Sequence, residues 1–360
     1  MSKIEFGIVG RGWRADFYLR IAKALPQRFA VRAMLVRDEE RGREIENEWG
    51  VKTYRDMDTF ASSGSLAFAV VSVSKEAVPL CILELAERGI PVLTETPPAP
   101  DIPGMIALYE SLRELKGRVQ VAEQYLYQPM HAARISFVNS GKLGEVSQVQ
   151  VSAAHGYHGI SLIRQLLGIG WEKATIRGQR FTSRIVKGPG RNGLSESEEI
   201  GESVQDIATL RFGDKLALFD FTGEQYRSWI RKNRVVVRGS HGEVTDETFR
   251  YLRDFRTPLY GEFRRVDTGH NGNLEGYYHR GITANDEWIY ENPFVPGRLS
   301  DDEIAIATSM MKMGDYVQGG PPCYDLEEAL QDQYLSIMMQ RAIESGEEVT
   351  TTNQPWNVYT

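Results

Sequence analysis

Residues 4–15, I-E-F-G-I-V-G-R-G-W-R-A, limit what this chain can become more than any other stretch. Ile4, Phe6, Ile8 and Val9 suit a buried strand, and the apolar run stops at Gly10-Arg11-Gly12, with Ala15 completing a G-x-G-x-x-A spacing. In a strand–turn–helix unit the first glycine permits the tight turn. The second lets a pyrophosphate approach the backbone, and the third small residue lets the helix pack on the sheet. A helix expected from near Trp13 then offers unpaired N–H groups to phosphate. Gly10, Arg11, Gly12 and Trp13 are the first candidate dinucleotide ligands. A chain that opens this way is expected to continue as parallel strands joined by helices.

The pattern holds to residue 125. Strands are expected at 29–36, 51–54, 66–73, 90–94 and 119–125, and helices at 39–49, 57–62, 78–88 and 103–116. The second strand ends Val36-Arg37-Asp38. An acid there binds a ribose diol and an arginine suits a 2′-phosphate, so with both side by side the cofactor is NAD or NADP. Asp38 can equally cap the next helix. Residues 66–73 are nearly all apolar, as a strand covered on both faces must be. Ser72 and Ser74 lie at its carboxyl end, and Glu95, Thr96 and Pro97 follow the next strand, where ligands bind in open α/β sheets.

Beyond residue 125 the character changes. A helix is expected at 130–139, a strand at 146–153 and a helix at 160–167. From 174 to 265 the chain is mostly strand-like: 174–181, 204–212, 216–222, 228–238, 241–246 and 249–254. Polar, glycine-rich stretches at 187–202 and 267–276 read as loops. Helices at 301–317 and 325–345 close the chain, the second capped by Asp325 and stopped by Gly346. The expected fold is α/β. Residues 1–125 form a doubly wound parallel sheet, and residues 126–360 an α+β domain with an open, largely antiparallel sheet.

A length of 360 residues is enough for two cores. A net charge of -7 argues against a general nucleic-acid binder. No apolar run is long enough to span a bilayer, and no signal-type segment opens the chain. Cys81 and Cys323 lie far apart, and neither they nor His131, His241 and His270 have metal-ligand spacing. The expectation is a metal-free cytoplasmic protein with two reduced thiols.

The glycine turn, Glu95-Thr96-Pro97 after the fifth strand, Gly141-Lys142-Leu143-Gly144-Glu145-Val146, and a histidine-bearing segment before a helix ending in L-L-G occur in an order that resembles the Gfo/Idh/MocA (glucose–fructose oxidoreductase/inositol dehydrogenase) family. The resemblance implies a Rossmann domain that binds NAD(P) and an α+β domain that forms the substrate pocket. It implies a dimer or tetramer built through the exposed sheet face, and hydride transfer between nicotinamide and a sugar, cyclitol or related polyol. The family's E-K-P lysine stands here as Thr96. Its D-x-G-x-H-x-x-D motif reads Ala154-His155-Gly156-Tyr157-His158-Gly159-Ile160-Ser161, which keeps the histidine as His158 and replaces both aspartates. Its T-P-N-like loop reads Val73-Ser74-Lys75.

These departures move the proton chemistry. A threonine hydroxyl can hydrogen-bond a substrate, but it is neither an ammonium group nor a useful base near neutral pH. His155-Gly156-Tyr157-His158 supplies three proton-capable side chains between a strand and a helix. His158 is the first candidate for the base, and His155 or Tyr157 the next; the plain alternative is capping and packing. Glu95 and Pro97 are expected to shape the nicotinamide end of the cleft. Tyr125, with Thr96 and His158, is expected to touch substrate, and Glu123 and Gln124 can line the same cleft. Arg164 reads as salt-bridged, and residues 225–229 as cross-strand packing. Tyr277, Tyr278, His279, Trp288 and Tyr290 form an aromatic group that suits either a sugar platform or a contact between subunits. Two other functions fit the resemblance: an NAD-dependent glycosidase that oxidises its sugar transiently, and a non-catalytic nucleotide-binding regulator.

Overall fold

The computed structural model describes residues 3–190, 193–194, 196–269 and 276–357. His270 and most of the predicted loop 267–276 lie outside the described residues. The first sheet has six parallel strands: β1 (Ile4–Val9), β2 (Phe29–Leu35), β3 (Thr53–Tyr54), β4 (Ala69–Val71), β5 (Val92–Thr94) and β6 (Val119–Val121). Their spatial order is β3-β2-β1-β4-β5-β6. The connecting helices are α1 (Ala15–Ala24), α2 (Glu39–Trp49), α3 (Met57–Ala61), α4 (Val78–Glu87) and α5 (Ile102–Leu115). Phe6, Ile8, Val70 and Leu93 are wholly buried, as strands covered on both faces require. Local chemistry sets the helix ends. The carboxylates of Asp38, Asp56 and Asp101 accept from the third backbone N–H beyond them, and Gly50 ends α2 in the left-handed region at φ 67°. Strands β3 to β6 are each shorter than expected, β4 and β6 the most. The apolar run 66–73 is regular strand only at Ala69–Val71, with flanking backbone bonds to β1 from Ala67, Phe68 and Ser72, and the chain after β6 forms a 3₁₀ turn at Tyr125–Tyr127.

The second part begins with α6 (Pro129–Asn139), β7 (Val146–Ser152) and α7 (Gly156–Leu167). A run of strands follows: β8 (Thr175–Val186), β9 (Ile200–Phe212), β10 (Lys215–Thr222), β11 (Arg234–Gly239), β12 (Gly242–Thr245), β13 (Thr248–Asp254), β14 (Thr257–Thr268), β15 (Tyr278–Ala284) and β16 (Glu287–Glu291). Helices α8 (Asp301–Val317) and α9 (Leu326–Ser345) and strand β17 (Val349–Thr350) complete it. The strands form one open sheet in the order β16-β15-β14-β13-β12-β11-β7-β10-β9-β8-β17. Among the described residues of this sheet, only the β7–β10 pair is parallel.

This sheet is larger than the sequence pattern predicts. Strands β14 to β16 do not stand out as separate strands in the pattern, because charged residues alternate along them with little apolar contrast. Strand β8 runs past the expected end at 181 to Val186, and β9 starts inside the expected loop 187–202, at Ile200, which pairs with Val186. The expected strand 228–238 starts only at Arg234, and residues Gly223–Tyr226 form a 3₁₀ turn. One face of the sheet is packed by α7 and α9. The strand registers put Phe181, Ile207, Leu218, Val236 and Tyr260 together on the other face, which no helix among the described residues covers.

The two parts are not strung in series. The chain returns after β16, and α8 packs on α1 while α9 packs on α5 and β6. Residues Cys323 to Asp325 run along the free edge of β6. There Val121 N–H donates to the Tyr324 carbonyl, and the Gln120 amide accepts from Cys323 and Tyr324 N–H and donates to Asp325. Asp325 stands at the N-cap of α9, but its side chain serves Gln120 instead of the helix. Arg164 of α7 is 1% exposed and bonds Asp332 of α9 at 2.8 Å and Glu328 at 2.7 Å, and Asp332 also accepts from Tyr324. Removing one partner of a buried ion pair leaves the other charge uncompensated, which costs about 3–5 kcal/mol. Asp332→Ala is therefore expected to lower unfolding free energy by about that amount in urea denaturation; a change within 1 kcal/mol or so, the scale of an exposed pair, would show that the network does not hold α7 to α9.

Candidate functional site

The carboxyl ends of β1, β4 and β5 meet where the strand order turns back, which in open α/β sheets is a ligand crevice. Gly10 has φ 105°, and a Cβ there would stand 2.2 Å from the Ser72 carbonyl oxygen. The turn can therefore press against β4 only as glycine. Gly12 differs: a Cβ on it would meet nothing closer than 3.7 Å, so the backbone faces open cleft. Helix α1 starts at Ala15, two residues later than expected, and carries no side-chain cap. The Ala15 and Phe17 N–H groups are taken by the Gly12 and Arg14 carbonyls, so an anion here would meet the backbone at Gly12 and the positive end of the helix rather than those two groups. This open backbone, glycine turn and uncapped helix fit a dinucleotide pyrophosphate.

The other cofactor candidates surround the turn. Arg11 pairs with Glu44 at 3.3 Å. Trp13 is 54% exposed, edge-on to Phe17. Ser72 is buried against β1, Ser74 opens the turn into α4, and Arg37 is exposed at the end of β2. Asp38 spends its carboxylate on capping α2, accepting from Arg41 N–H at 2.9 Å. The Thr96–Pro97 peptide is cis. Glu95, just before it, accepts from the Tyr18 hydroxyl at 2.6 Å and faces Arg14 Nε at 3.5 Å. Burial raises the Glu95 carboxyl above its ordinary range, while Arg14 and Tyr18 pull it back down.

Across the crevice, α7 presents His158 in its first turn, so the helix begins at Gly156 and includes the histidine that the sequence places ahead of it. His158 Nδ1 lies 2.7 Å from Glu123 Oε2, and Nε2 lies 3.5 Å from the Thr96 hydroxyl. Glu123 is fully buried, its other oxygen accepting from Tyr125 N–H at 2.9 Å. An acceptor carboxylate at Nδ1 selects the tautomer protonated there, which leaves the Nε2 lone pair toward Thr96. The Tyr125 ring covers His158 with centroids 4.5 Å apart.

A second couple stands beside the first. The His155 ring lies 5.0 Å from that of His158, edge to face, and its Nδ1 bonds the Tyr226 hydroxyl, which also accepts from His155 N–H at 3.2 Å. Tyr125 and Tyr226 hydroxyls are 3.5 Å apart. Burial first, then the charges of His158 and Lys75, bring His155 down to about 4, so it is neutral at pH 7. Tyr226 is positioned by its neighbour: Gln225 accepts from Thr222 N–H at 3.0 Å and donates to the Ser152 carbonyl at 2.7 Å. Reading residues 225–229 as a packed strand misses this role; a glycine followed by polar residues after an alternating strand is the available signal for a turn. The sequence marks Glu123 as cleft-lining, but its pairing with histidine follows only from the fold. Tyr157 goes elsewhere. It is 5% exposed, with its hydroxyl sealed from solvent and from any hydrogen-bond partner among the described residues. His131 is buried against Arg134, and His279 stacks on Tyr290 while bonding Asp267.

Residues 4–123 match the model of an oxidoreductase family with an NAD-binding Rossmann fold, Gfo/Idh/MocA. No curated protein sequence matches the chain. Among solved structures, an oxidoreductase domain protein from Kribbella flavida is 16% identical, with a TM-score of 0.70 over 97% of this chain and 99% of that one. An oxidoreductase from Agrobacterium radiobacter, solved with NAD+, L-tartaric acid and magnesium, is 15% identical, with a TM-score of 0.66 over 97% and 98%. The WlbA dehydrogenase from Bordetella pertussis, solved with NADH and UDP-GlcNAcA, is 16% identical, with a TM-score of 0.64 over 98% and 99%. At these identities the likeness is one of fold over the full length. Among the described residues no helix is long and apolar enough to cross a membrane.

The two glycines of the turn separate folding from binding. Gly12→Val is expected to fold with a normal melting transition and to lose NAD(P) binding in titration calorimetry. Gly10→Ala is expected to destabilise the protein itself, through the contact with Ser72 and the positive φ. Wild-type nucleotide affinity in Gly12→Val would remove the turn from the binding site.

Proposed function

We infer, from the match of residues 4–123 to the Gfo/Idh/MocA oxidoreductase model, that this protein is an NAD(P)-dependent oxidoreductase acting on a hydroxylated, sugar- or polyol-like substrate. Residues 1–125 bind the nucleotide, and residues 126–360 supply most of the substrate cleft. The observation that carries the reading is the Glu123–His158 pair, with its free Nε2 opening toward Thr96 beside the glycine turn. The bound nicotinamide supplies the hydride acceptor or donor. The chain's residues handle the proton: His158 Nε2 takes it from the substrate hydroxyl as the carbinol is oxidised, and Glu123 stabilises the imidazolium formed. Thr96 hydrogen-bonds the reacting oxygen or its neighbour. Tyr125 and Tyr226 roof the site and provide hydroxyls for a polyol. A nucleotide-binding regulator has no need of a buried carboxylate–imidazole pair at this position.

The experiment is a screen of sugars, cyclitols, polyols and sugar acids with NAD+ and NADP+, read by reduced-nicotinamide absorbance. With the substrate found, His158→Ala or His158→Asn is expected to lose about 10²-fold or more in kcat with little change in nucleotide affinity. Thr96→Ala is expected to cost about 1 kcal/mol, one hydrogen bond's worth. Near-normal turnover with an unchanged pH profile in the His158 variants would overturn the assignment of the base.

The neutral His155–Tyr226 couple favours one variant of this chemistry. Oxidation makes the adjacent C–H acidic, and a second proton carrier beside the first suits its removal. A glycoside substrate would then lose its aglycone by elimination, water would add across the double bond so formed, and the hydride would return to the carbonyl, so that the net reaction is hydrolysis with no redox change. Aglycone release without accumulating NADH distinguishes this from net oxidation.

We further infer a homo-oligomer built through the uncovered sheet face. Phe181 is 57% and Tyr260 71% exposed on it, and an apolar stripe crossing a sheet this wide usually marks an interface. A dimer or tetramer is expected in sedimentation at micromolar concentration; a monomer there would refute it.

A further inference from the structure

The groups that handle substrate protons leave one buried carboxylate unused. Glu95 has a side chain 13% exposed at the end of β5, one residue before Thr96. Its two oxygens are assigned separately, Oε1 to the Tyr18 hydroxyl at 2.6 Å and Oε2 toward Arg14 at 3.5 Å. Both partners come from α1 and its entry. Arg14 belongs to the glycine turn itself, stands at the N-cap of α1, and rests its guanidinium 5.4 Å and 5.0 Å from the ring centroids of Trp13 and Phe17. The arrangement is therefore an oriented ion pair, with its positive end in the turn and its negative end beside the reacting strand end.

A dinucleotide in its oxidised form carries the complementary order of charge. Its pyrophosphate is anionic, and its nicotinamide ring carries a positive charge that reduction removes. We propose that the Arg14–Glu95 pair, held by Tyr18, discriminates between the oxidation states of the bound cofactor, favouring the oxidised form through the Glu95 carboxylate. This rests on the dinucleotide reading given above. A charge removed from water acts over several ångströms with far less screening than in solution, and so changes the relative affinity for two ligands that differ by one charge. The same bias lowers the potential of the bound couple, because the pocket binds the oxidised cofactor better than the reduced one.

The test is binding and needs no substrate. Dissociation constants for NAD+, NADH and ADP-ribose (or their 2′-phosphorylated counterparts) are measured by titration calorimetry on the full-length protein. Wild type is expected to bind NAD+ at least as tightly as NADH. Glu95→Gln keeps the shape and the Tyr18 acceptor but removes the charge. It is expected to shift the NAD+/NADH affinity ratio toward NADH by about tenfold, while ADP-ribose, which lacks the ring, binds as before. Glu95→Asp retains the charge and is expected to restore most of the ratio, which a merely structural role would not do. An unchanged ratio in Glu95→Gln overturns the proposal, as does equal weakening of all three ligands. If Glu95→Gln does not fold, a wild-type preference for NADH of tenfold or more overturns it alone. Failure of wild type to bind any of the three nucleotides would instead sink the dinucleotide reading.

Discussion

A short, buried hydrogen bond joins the two halves of the cleft. Glu123 follows the last strand of the parallel sheet, His158 stands in the first turn of the helix that lies on the second sheet, and they meet at 2.7 Å with almost no exposure. Neither half alone contains the pair. A buried carboxylate without its imidazole partner is strongly disfavoured, so the contact fixes how the two parts sit and, at the same time, which imidazole nitrogen faces the crevice. Much else supports that geometry. Arg164 and Asp332 hold α7 to α9, and Gln120 binds the returning chain beside β6, close in sequence to Glu123.

The parts of the molecule written in short-range pattern are legible from the amino-acid sequence. The glycine turn, the apolar strands and the Asp and Gly residues at helix ends each obey a local rule, and the parallel sheet follows from their alternation. The second sheet is harder to read. Its strands face helices on one side only, and charged cross-strand pairs such as Arg238–Glu243 and Arg180–Asp206 blur the alternation. The site divides the same way. His158 and Thr96 stand at positions marked by a resemblance, whereas Glu123, Tyr226 and Arg14 acquire meaning only through contacts between residues 35 to 101 positions apart. No window of sequence holds those distances.

The crevice draws its charged and polar groups from several elements. Its cations are Arg14 from the glycine turn, beside Glu95, and Lys75 from the loop after β4, close enough to influence His155. His155 is neutral at pH 7 and tied to Tyr226. Glu123 and Glu95, the two buried carboxylates of the crevice, each have a partner, while His158 Nε2 and the Thr96 hydroxyl meet over the same space.

The return of the chain along β6 has a consequence for how this molecule can be cut. A fragment ending near residue 125 leaves the edge of β6 bare where Tyr324 pairs with it, and uncovers the faces of α1 and α5 on which α8 and α9 rest. An open strand edge beside a newly exposed apolar surface is a template for aggregation. The two parts are thus separate in their sheets but not in their chain, and a recombinant nucleotide-binding half would have to carry α8, the 323–325 strap and α9 spliced onto it. A single crossover near the end of β6 therefore cannot preserve both cores, and a second one ahead of α8 would take from the second sheet the α9 that covers it.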